Sequence, residues 1–464
     1  MINEIQGQPF WEIRFDENGH PDPATTGTLP QQVMAKNITD LIIFAHGWNN
    51  DETIALQLYQ GFFNPLTEQL QKAPAGTVIG LIGVVWPSQL WSDEPIPDFT
   101  PAAAPAGNTP GAADFSLAAA QPLPPADPSL DQATTQQLHA LFPAAAAPLE
   151  KMTALLSSPP TEQAQTDFLQ HLKDFSAAAG DAGDDGENAV TPTGAPMLTD
   201  STAPHLFQTY RQVLTDAGVR FTAAPVGGQA GLLDDLSGIL NGAKEALRQT
   251  TYWQMKARAG TVGRAGLGPL IGQLHATCPT LKIHLIGHSF GARLVSYALA
   301  GIPALHGPSP IKAVTLLEGA FSHNAFSDSF PFTADGKGDL AGQLLLIDGP
   351  LTACYSTFDG ALANLYPLAS FAANQATSAF HVDQQQWGAI GADGAQGPVQ
   401  GANVTTAPIG DVGVAYPFTP SRALNIDASR IVCRGNPPSG AHSDIVHPEL
   451  LWVVLTAGRI VTPS

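Results

Sequence analysis

Ile283-His284-Leu285-Ile286-Gly287-His288-Ser289-Phe290-Gly291-Ala292-Arg293-Leu294 is the stretch that decides the fold. An apolar strand, 283–286, runs into a turn of small residues, and a helical run, 292–299, starts at once on the other side. A serine at so tight a strand-to-helix turn is held on strained backbone, and the glycines two before and two after it let neighbouring chain approach. Gly-x-Ser-x-Gly alone is a weak signal; between an apolar strand and a helix it is a strong one. The helix start at Phe290 adds backbone N–H groups and positive potential where an oxyanion would form.

Further strands lie on either side of this one, at residues 11–15, 41–45, 78–85, 313–317, 351–356 and 430–433. Leu41-Ile42-Ile43-Phe44-Ala45 is uninterrupted apolar and therefore wants cover on both faces. Helices at 51–71, 292–299 and 448–457 fit between and after the strands. Short strands separated by crossover helices predict an α/β fold with a mostly parallel central sheet flanked by helices. Residues 92–250 interrupt the rhythm. Pro-rich tracts at 101–110 and 122–128 alternate there with helical patterns at 130–156 and 161–178, and the 181–200 piece, acidic and Gly-rich, reads as mobile. Phe207, Tyr210 and Leu214 fall on one helix face, which favours packing over a disordered linker. The expected division is a core of residues 1–92 and 251–464, interrupted by a helical insertion, 93–250, laid over one end of the sheet.

Composition agrees with a large core. At about 150 residues per domain, 464 residues correspond to about three domains or to one core with a big insertion. Charged residues are 13% against a usual value of about 25%, and 45 Gly, 40 Pro and many Ala take their place. Twenty Lys and Arg against 40 Asp and Glu leave a net charge of −20, a field that repels phosphate backbones, so nucleic acid is not expected as a partner. No run of about 18 apolar residues predicts an integral membrane segment, and no basic-then-apolar start marks an export signal. The chain therefore reads as soluble and cytoplasmic, although a low-Lys acidic surface would suit an exported protein too. Cys278, Cys354 and Cys433 have no Cys-x-x-Cys or metal-ligand spacing and read as buried thiols. His323 and His381 lack carboxylate or Cys partners at ligand spacing, so no metal is expected.

A second motif, His46-Gly47-Trp48-Asn49-Asn50, also stands at the carboxyl end of an apolar strand. Gly47 lets this loop bend toward Ser289, the N–H of Trp48 becomes a second oxyanion donor beside that of Phe290, and the Trp48 ring lines the pocket. His46 reads as a residue that fixes the loop, with His288 beside the serine. Tyr252-Trp253-Gln254-Met255-Lys256-Ala257-Arg258 reads either as a pocket wall, with Tyr252 or Arg258 touching substrate, or as a packed helix with a solvated basic face. The Gly-rich 260–266 stretch follows no strand and so is not a phosphate loop.

Phe44-Ala45-His46-Gly47-Trp48 and Gly287-His288-Ser289-Phe290-Gly291, with two C-terminal elements, carry a resemblance to the α/β-hydrolase-fold serine hydrolases of the lipase and esterase kind. More closely, the chain resembles a bacterial branch with a large Ala/Pro-rich insertion between the third strand and the strand that carries the serine. The resemblance covers about residues 10–92 and 250–460. It implies the order nucleophile, acid, histidine. His442, in the Gly/Pro-rich loop 435–445, suits the general base, whereas His447, just before Pro448, suits a capping role. Asp359, past the strand 351–356, stands where the family carries its acid, with Glu318 and Asp348 as competitors. The implied activity is hydrolysis of carboxylic esters, small or polymeric, through Ser289, His442 and Asp359 with an acyl-enzyme intermediate, no cofactor, and the insertion as a lid. The same triad would serve an amidase, thioesterase or acyltransferase, and a non-catalytic hydrolase-fold binding protein is the rival of another class. The acidic field favours neutral or cationic esters.

Overall fold

The computed structural model of the chain describes residues 3–88, 91, 128–158, 161–179, 198, 202–216, 230–305, 307–332, 335–365, 388–436 and 439–463. The Pro-rich tracts 101–110 and 122–127, nearly all of the 181–200 piece, His381 and Trp387 lie outside the described residues. Among the described residues eleven strands occur, in chain order β1 (Glu4–Ile5), β2 (Gln8–Arg14), β3 (Asp40–Ala45), β4 (Ile79–Val85), β5 (Lys282–His288), β6 (Ile311–Leu317), β7 (Leu351–Tyr355), β8 (Pro398–Val399), β9 (Ala402–Asn403), β10 (Thr405–Pro408) and β11 (Ala423–Asp427). Nine of them form one sheet in the order β1-β2-β4-β3-β5-β6-β7-β11-β10, and β8 pairs with β9 apart from it. Within the large sheet only β1–β2 is antiparallel.

The strand order fixes where a site can form. After β3 the chain steps outward to β4, and after β5 it steps the opposite way to β6. Neighbours β3 and β5 thus flank the point where the winding reverses, and their carboxyl ends open the crevice in which open α/β sheets bind ligands. All six residues of β3 are buried. Leu41, Ile43 and Ala45 face one core and Ile42 and Phe44 the other, the period-two alternation of a strand covered on both sides.

The helix after β5, Phe290–Gly301, is buried without interruption from Phe290 to Leu299. Against it lies the turn of π-helix Val262–Leu267, the continuation of the long helix Ala230–Thr261. The glycines of 260–266 serve this contact: a Cβ on Gly263 would collide with the Leu294 carbonyl. The long helix crosses residues 250 and 251 unbroken, so the boundary expected there falls inside one element.

Among the described residues four further α-helices occupy the stretch before it: Gln132–Leu141, Ala146–Leu156, Glu162–Ala178 and Ala203–Asp216. Asp131 and Thr161 cap two of them by accepting the amides of Thr134 and Ala164. The pattern at 130–156 becomes two helices because Pro143, which lacks an N–H, follows Phe142. Phe142 meets Phe175 edge to face at 5.2 Å, as Phe168 does Phe207 at 5.6 Å, and these rings share one core with Leu41 and Ile43 of the sheet. Tyr210 belongs to the same core, and Leu214 is buried too, as their common helix face predicts.

Three expectations need correction. The helix expected over 51–71 is Glu52–Phe62 followed by the short Leu66–Gln69, separated at Asn64-Pro65. Residues 430–433 form no strand; the sheet continues instead through β11 and β10. β11 carries Asn425, whose side chain accepts from the Ala395 amide at 2.8 Å and donates to the Ala395 carbonyl at 3.0 Å, so a polar residue is satisfied inside the sheet. Val432 is buried from the turn that follows, and the apolar pattern there reflects packing without a ladder. Of the three cysteines only Cys354 is buried, Cys278 is half-buried, and Cys433, past that turn, is exposed. Among the described residues no helix is long and apolar enough to cross a membrane.

Gly263 gives a test of the helix contact. Gly to Ala within a helix ordinarily stabilises by about 1 kcal/mol, whereas overpacking costs about 1–3 kcal/mol. Gly263→Ala is expected to lower the unfolding free energy in urea, and equal or greater stability would contradict the packing described.

Candidate active site

Ser289 sits between β5 and its helix with φ 55° and ψ −123°, a conformation that costs a non-glycine residue about 1–3 kcal/mol. The flanking glycines make the turn possible. A Cβ on Gly287 would collide with the Gly291 carbonyl, and one on Gly291 with the carbonyl of Ala45 at the end of β3. The first turn of the helix is thereby pressed onto the neighbouring strand, and Ser289, 4% exposed, is set at the crevice.

His442 reaches the serine from the loop after β11. Its Nε2 lies 2.8 Å from Ser289 Oγ and its Nδ1 lies 2.6 Å from Asp359 Oδ2. Asp359 is fully buried just past β7, and its Oδ1 accepts the Leu362 amide at 2.9 Å. The two loops are tied together: the Ala441 amide donates to the Phe358 carbonyl and the Ala361 amide to the Ser439 carbonyl. Asp444 braces the histidine loop from below by accepting the amides of Cys433 and Arg434 at 3.0 and 2.9 Å. The serine hydroxyl can therefore donate to Nε2 while Nδ1–H donates to a buried carboxylate. This arrangement fixes the ring's tautomer and aims Nε2 at the hydroxyl.

The 46–50 loop comes from β3. A Cβ on Gly47 would lie 2.6 Å from Ser289 Cβ, so only glycine lets this backbone pass the serine. Among the described residues the amides of Trp48, next after Gly47, and of Phe290, next after Ser289, make no backbone hydrogen bond outside the regular elements. His46 Nδ1 lies 2.9 Å from the Gly47 carbonyl, to which it donates, while Nε2 accepts the Trp86 amide at 3.4 Å. Its ring stacks on Trp86 at 5.6 Å, and burial pushes its pKa down to about 4, which keeps it neutral. Asn50 Nδ2 donates to the Trp48 carbonyl at 2.8 Å, Ser88 Oγ donates to the Asn50 carbonyl at 2.6 Å, and Asn49 Oδ1 accepts the Trp91 amide. These braces were not singled out from sequence, though Asn49-Asn50 after His-Gly-Trp is a turn signal and Asn49 has φ 61°.

His288 and Tyr252 complete the surroundings. His288 Nε2–H donates to the His442 carbonyl at 2.8 Å, so this residue holds the base's own backbone. Burial, then the neighbouring His442, pushes its pKa down to about 3. Tyr252 lies against Phe290 at 4.7 Å and Trp48 at 5.4 Å, so the three rings form one aromatic cluster. Arg258 turns away, donating to the Pro87 carbonyl at 3.3 Å with its guanidinium over Phe142.

The remaining candidates lie apart. Asp348 precedes β7 at the amino end of the sheet and pairs with Lys312 at 2.7 Å. His447 stands before the final helix Pro448–Ala457 and bonds Asp444 at 3.0 Å. Glu318 ends β6 beside Asp359, and its Oε2 accepts the Ser356 amide at 3.1 Å; His442 bonds Asp359. His323 has a carboxylate partner that spacing did not show, Asp393, at 2.8 Å. A cavity of about 380 Å³ at Gln208, Arg211, Gln212 and Thr215 lies outside this constellation, as does one of about 200 Å³ at the amino ends of β3 and β5.

The neutral histidines make stability depend on pH. His46 and His288 take up a proton near 6.5 in the unfolded chain but only at about 4 and about 3 in the fold. The unfolded state therefore binds more protons across about pH 4–6.5, and stability falls as pH drops through that window, by about 1.4 kcal/mol per unit for each ring. His288→Gln, which keeps a donor for the His442 carbonyl, is expected to reduce the slope of unfolding free energy against pH by about one proton. An unchanged slope would contradict the neutral, buried state of His288.

Compared with protein-family models, curated proteins and solved structures, the chain matches none of them.

Proposed function

We propose that the chain is a serine hydrolase of α/β-hydrolase type that cleaves carboxylic esters. The observation that carries this reading is the bridge made by His442, with one ring nitrogen 2.8 Å from Ser289 Oγ and the other 2.6 Å from Asp359. The order of the elements supports it: the serine follows β5, the acid follows β7 and the histidine follows β11.

In this mechanism Ser289 Oγ attacks the acyl carbon as His442 Nε2 takes its proton, and Asp359 stabilises the imidazolium that forms. The amides of Phe290 and Trp48 donate to the oxyanion, a contribution whose loss costs about 10²–10³ in kcat per donor in comparable sites. His442 then returns the proton to the leaving alcohol, and a water that it deprotonates releases the acid and regenerates Ser289. The aromatic cluster of Trp48, Tyr252 and Phe290 suits an uncharged acyl or alcohol group, in keeping with the net charge of −20. Since Ser289 is nearly buried, the helices of 93–250 act as a lid that must move for substrate to enter, and they set its size.

A series of p-nitrophenyl esters from short to long acyl chains, with amide and thioester analogues, tests the proposal. The esters are expected to be cleaved fastest. Ser289→Ala is expected to lower turnover toward the limit of about 10⁶ seen when such a nucleophile is removed. His447→Ala should keep most of the activity and His442→Ala should not; equal rates in wild type and Ser289→Ala would refute the assignment.

A further inference from the structure

A second acidic residue, unused by this mechanism, lies behind Asp359. Glu318 is 1% exposed and has φ 44°, in the left-handed region that favours glycine. Its amide donates to the Cys354 carbonyl at 3.1 Å, and the backbone of Gly391 packs against its carbonyl carbon, so the strained position is held from two sides. One carboxyl oxygen, Oε2, accepts the Ser356 amide; among the described residues Oε1 makes no hydrogen bond. The groups that face it are acidic or neutral: Asp359 from the loop after β7, Asp444 from the histidine loop, and the Cys354 thiol of β7. Burial, then the Asp359 charge, raises the Glu318 carboxyl well above the usual range. Arg434 and His447 pair with Asp444, at 3.9 and 3.0 Å.

A buried carboxylate with an orphan oxygen beside another carboxylate is not sustainable, because the pair holds a proton before it holds two charges. The proton also has a natural recipient: the Glu318 and Asp359 side chains lie within hydrogen-bonding reach of each other, and Asp359 Oδ2 is engaged by His442. We propose that Glu318 is a positioning residue that works as a neutral carboxylic acid, its Oε1 proton shared with Asp359 so that a single negative charge faces His442. This inference rests on the hydrolase reading for its consequence in turnover, and on the carboxyl pair alone for its protonation state.

Two variants separate the parts. Glu318→Gln keeps a neutral donor of the same shape, whereas Glu318→Leu keeps the volume and removes the donor. Losing a hydrogen bond to a charged group is expected to lower kcat of Glu318→Leu about 10- to 100-fold with KM nearly unchanged, and Glu318→Gln is expected to retain what Leu loses. The acid limb of kcat/KM should stay in place in Glu318→Gln, since a neutral group replaces a neutral group. A shift of about one pH unit or more would mean that Glu318 is ionised and would overturn the proposal, as would full kcat in Glu318→Leu. Independently of activity, ¹³C-carboxyl NMR of glutamate-labelled wild type should contain a protonated signal at pH 7 that vanishes in Glu318→Gln. The low-field Nδ1–H resonance of His442 should move in Glu318→Leu. Ester cleavage without these signals would defeat this inference and leave the hydrolase reading standing; the signals without ester cleavage would do the reverse.

Discussion

Everything at the candidate site depends on how closely two backbones pass at the carboxyl ends of β3 and β5. Gly291 lies on the carbonyl of Ala45, Gly287 on that of Gly291, and Gly47 on the Cβ of Ser289. A methyl group at any of the three would separate the strands' loops by more than a hydrogen bond tolerates. Close approach goes with the positive φ of Ser289 and sets the Gly47 backbone against its side chain. The strain is local, and it is sustained by a helix buried along ten residues and by β3, buried on both faces.

Around this contact the polar groups are arranged so that one carboxylate acts on one imidazole. His46 and His288 stay neutral because burial outweighs their hydrogen bonds, and each spends an N–H on a backbone carbonyl. His46 braces the loop of Gly47 and His288 the loop of His442, so two histidines hold the positions that a third uses. Asp359 is closed off from water by the same loops that carry it. Low dielectric surroundings strengthen its bond to His442 and penalise any second charge nearby.

Much of this was legible in the sequence because it is local. The uninterrupted run Leu41–Ala45, the Gly-x-Ser-x-Gly turn after a strand and the Gly/Pro-rich loop of His442 each state their geometry within ten residues. The parts that were not legible are non-local or carried by atypical residues. The β11 strand hides behind Asn425, whose polarity is satisfied only by Ala395, thirty residues away in the chain. Cys433 and Val432 sit in an apolar-looking turn that pattern alone reads as a strand. The braces from Ser88 and Trp86 to the 46–50 loop span about forty residues, and the His323–Asp393 pair spans seventy. The preference for Asp359 over Glu318 rests on the resemblance alone, since both follow neighbouring strands of the sheet; the bond from His442 to Asp359 is a non-local feature that only the fold shows.

The central claim is that Ser289 is a nucleophile made reactive by His442. Treating the folded protein with a fluorophosphonate and locating the adduct by intact and peptide mass measures this most directly. A single adduct on Ser289, formed quickly in wild type and lost or strongly slowed in His442→Ala, is the predicted result. Absence of labelling in folded protein, or an adduct on a different serine, would contradict the account.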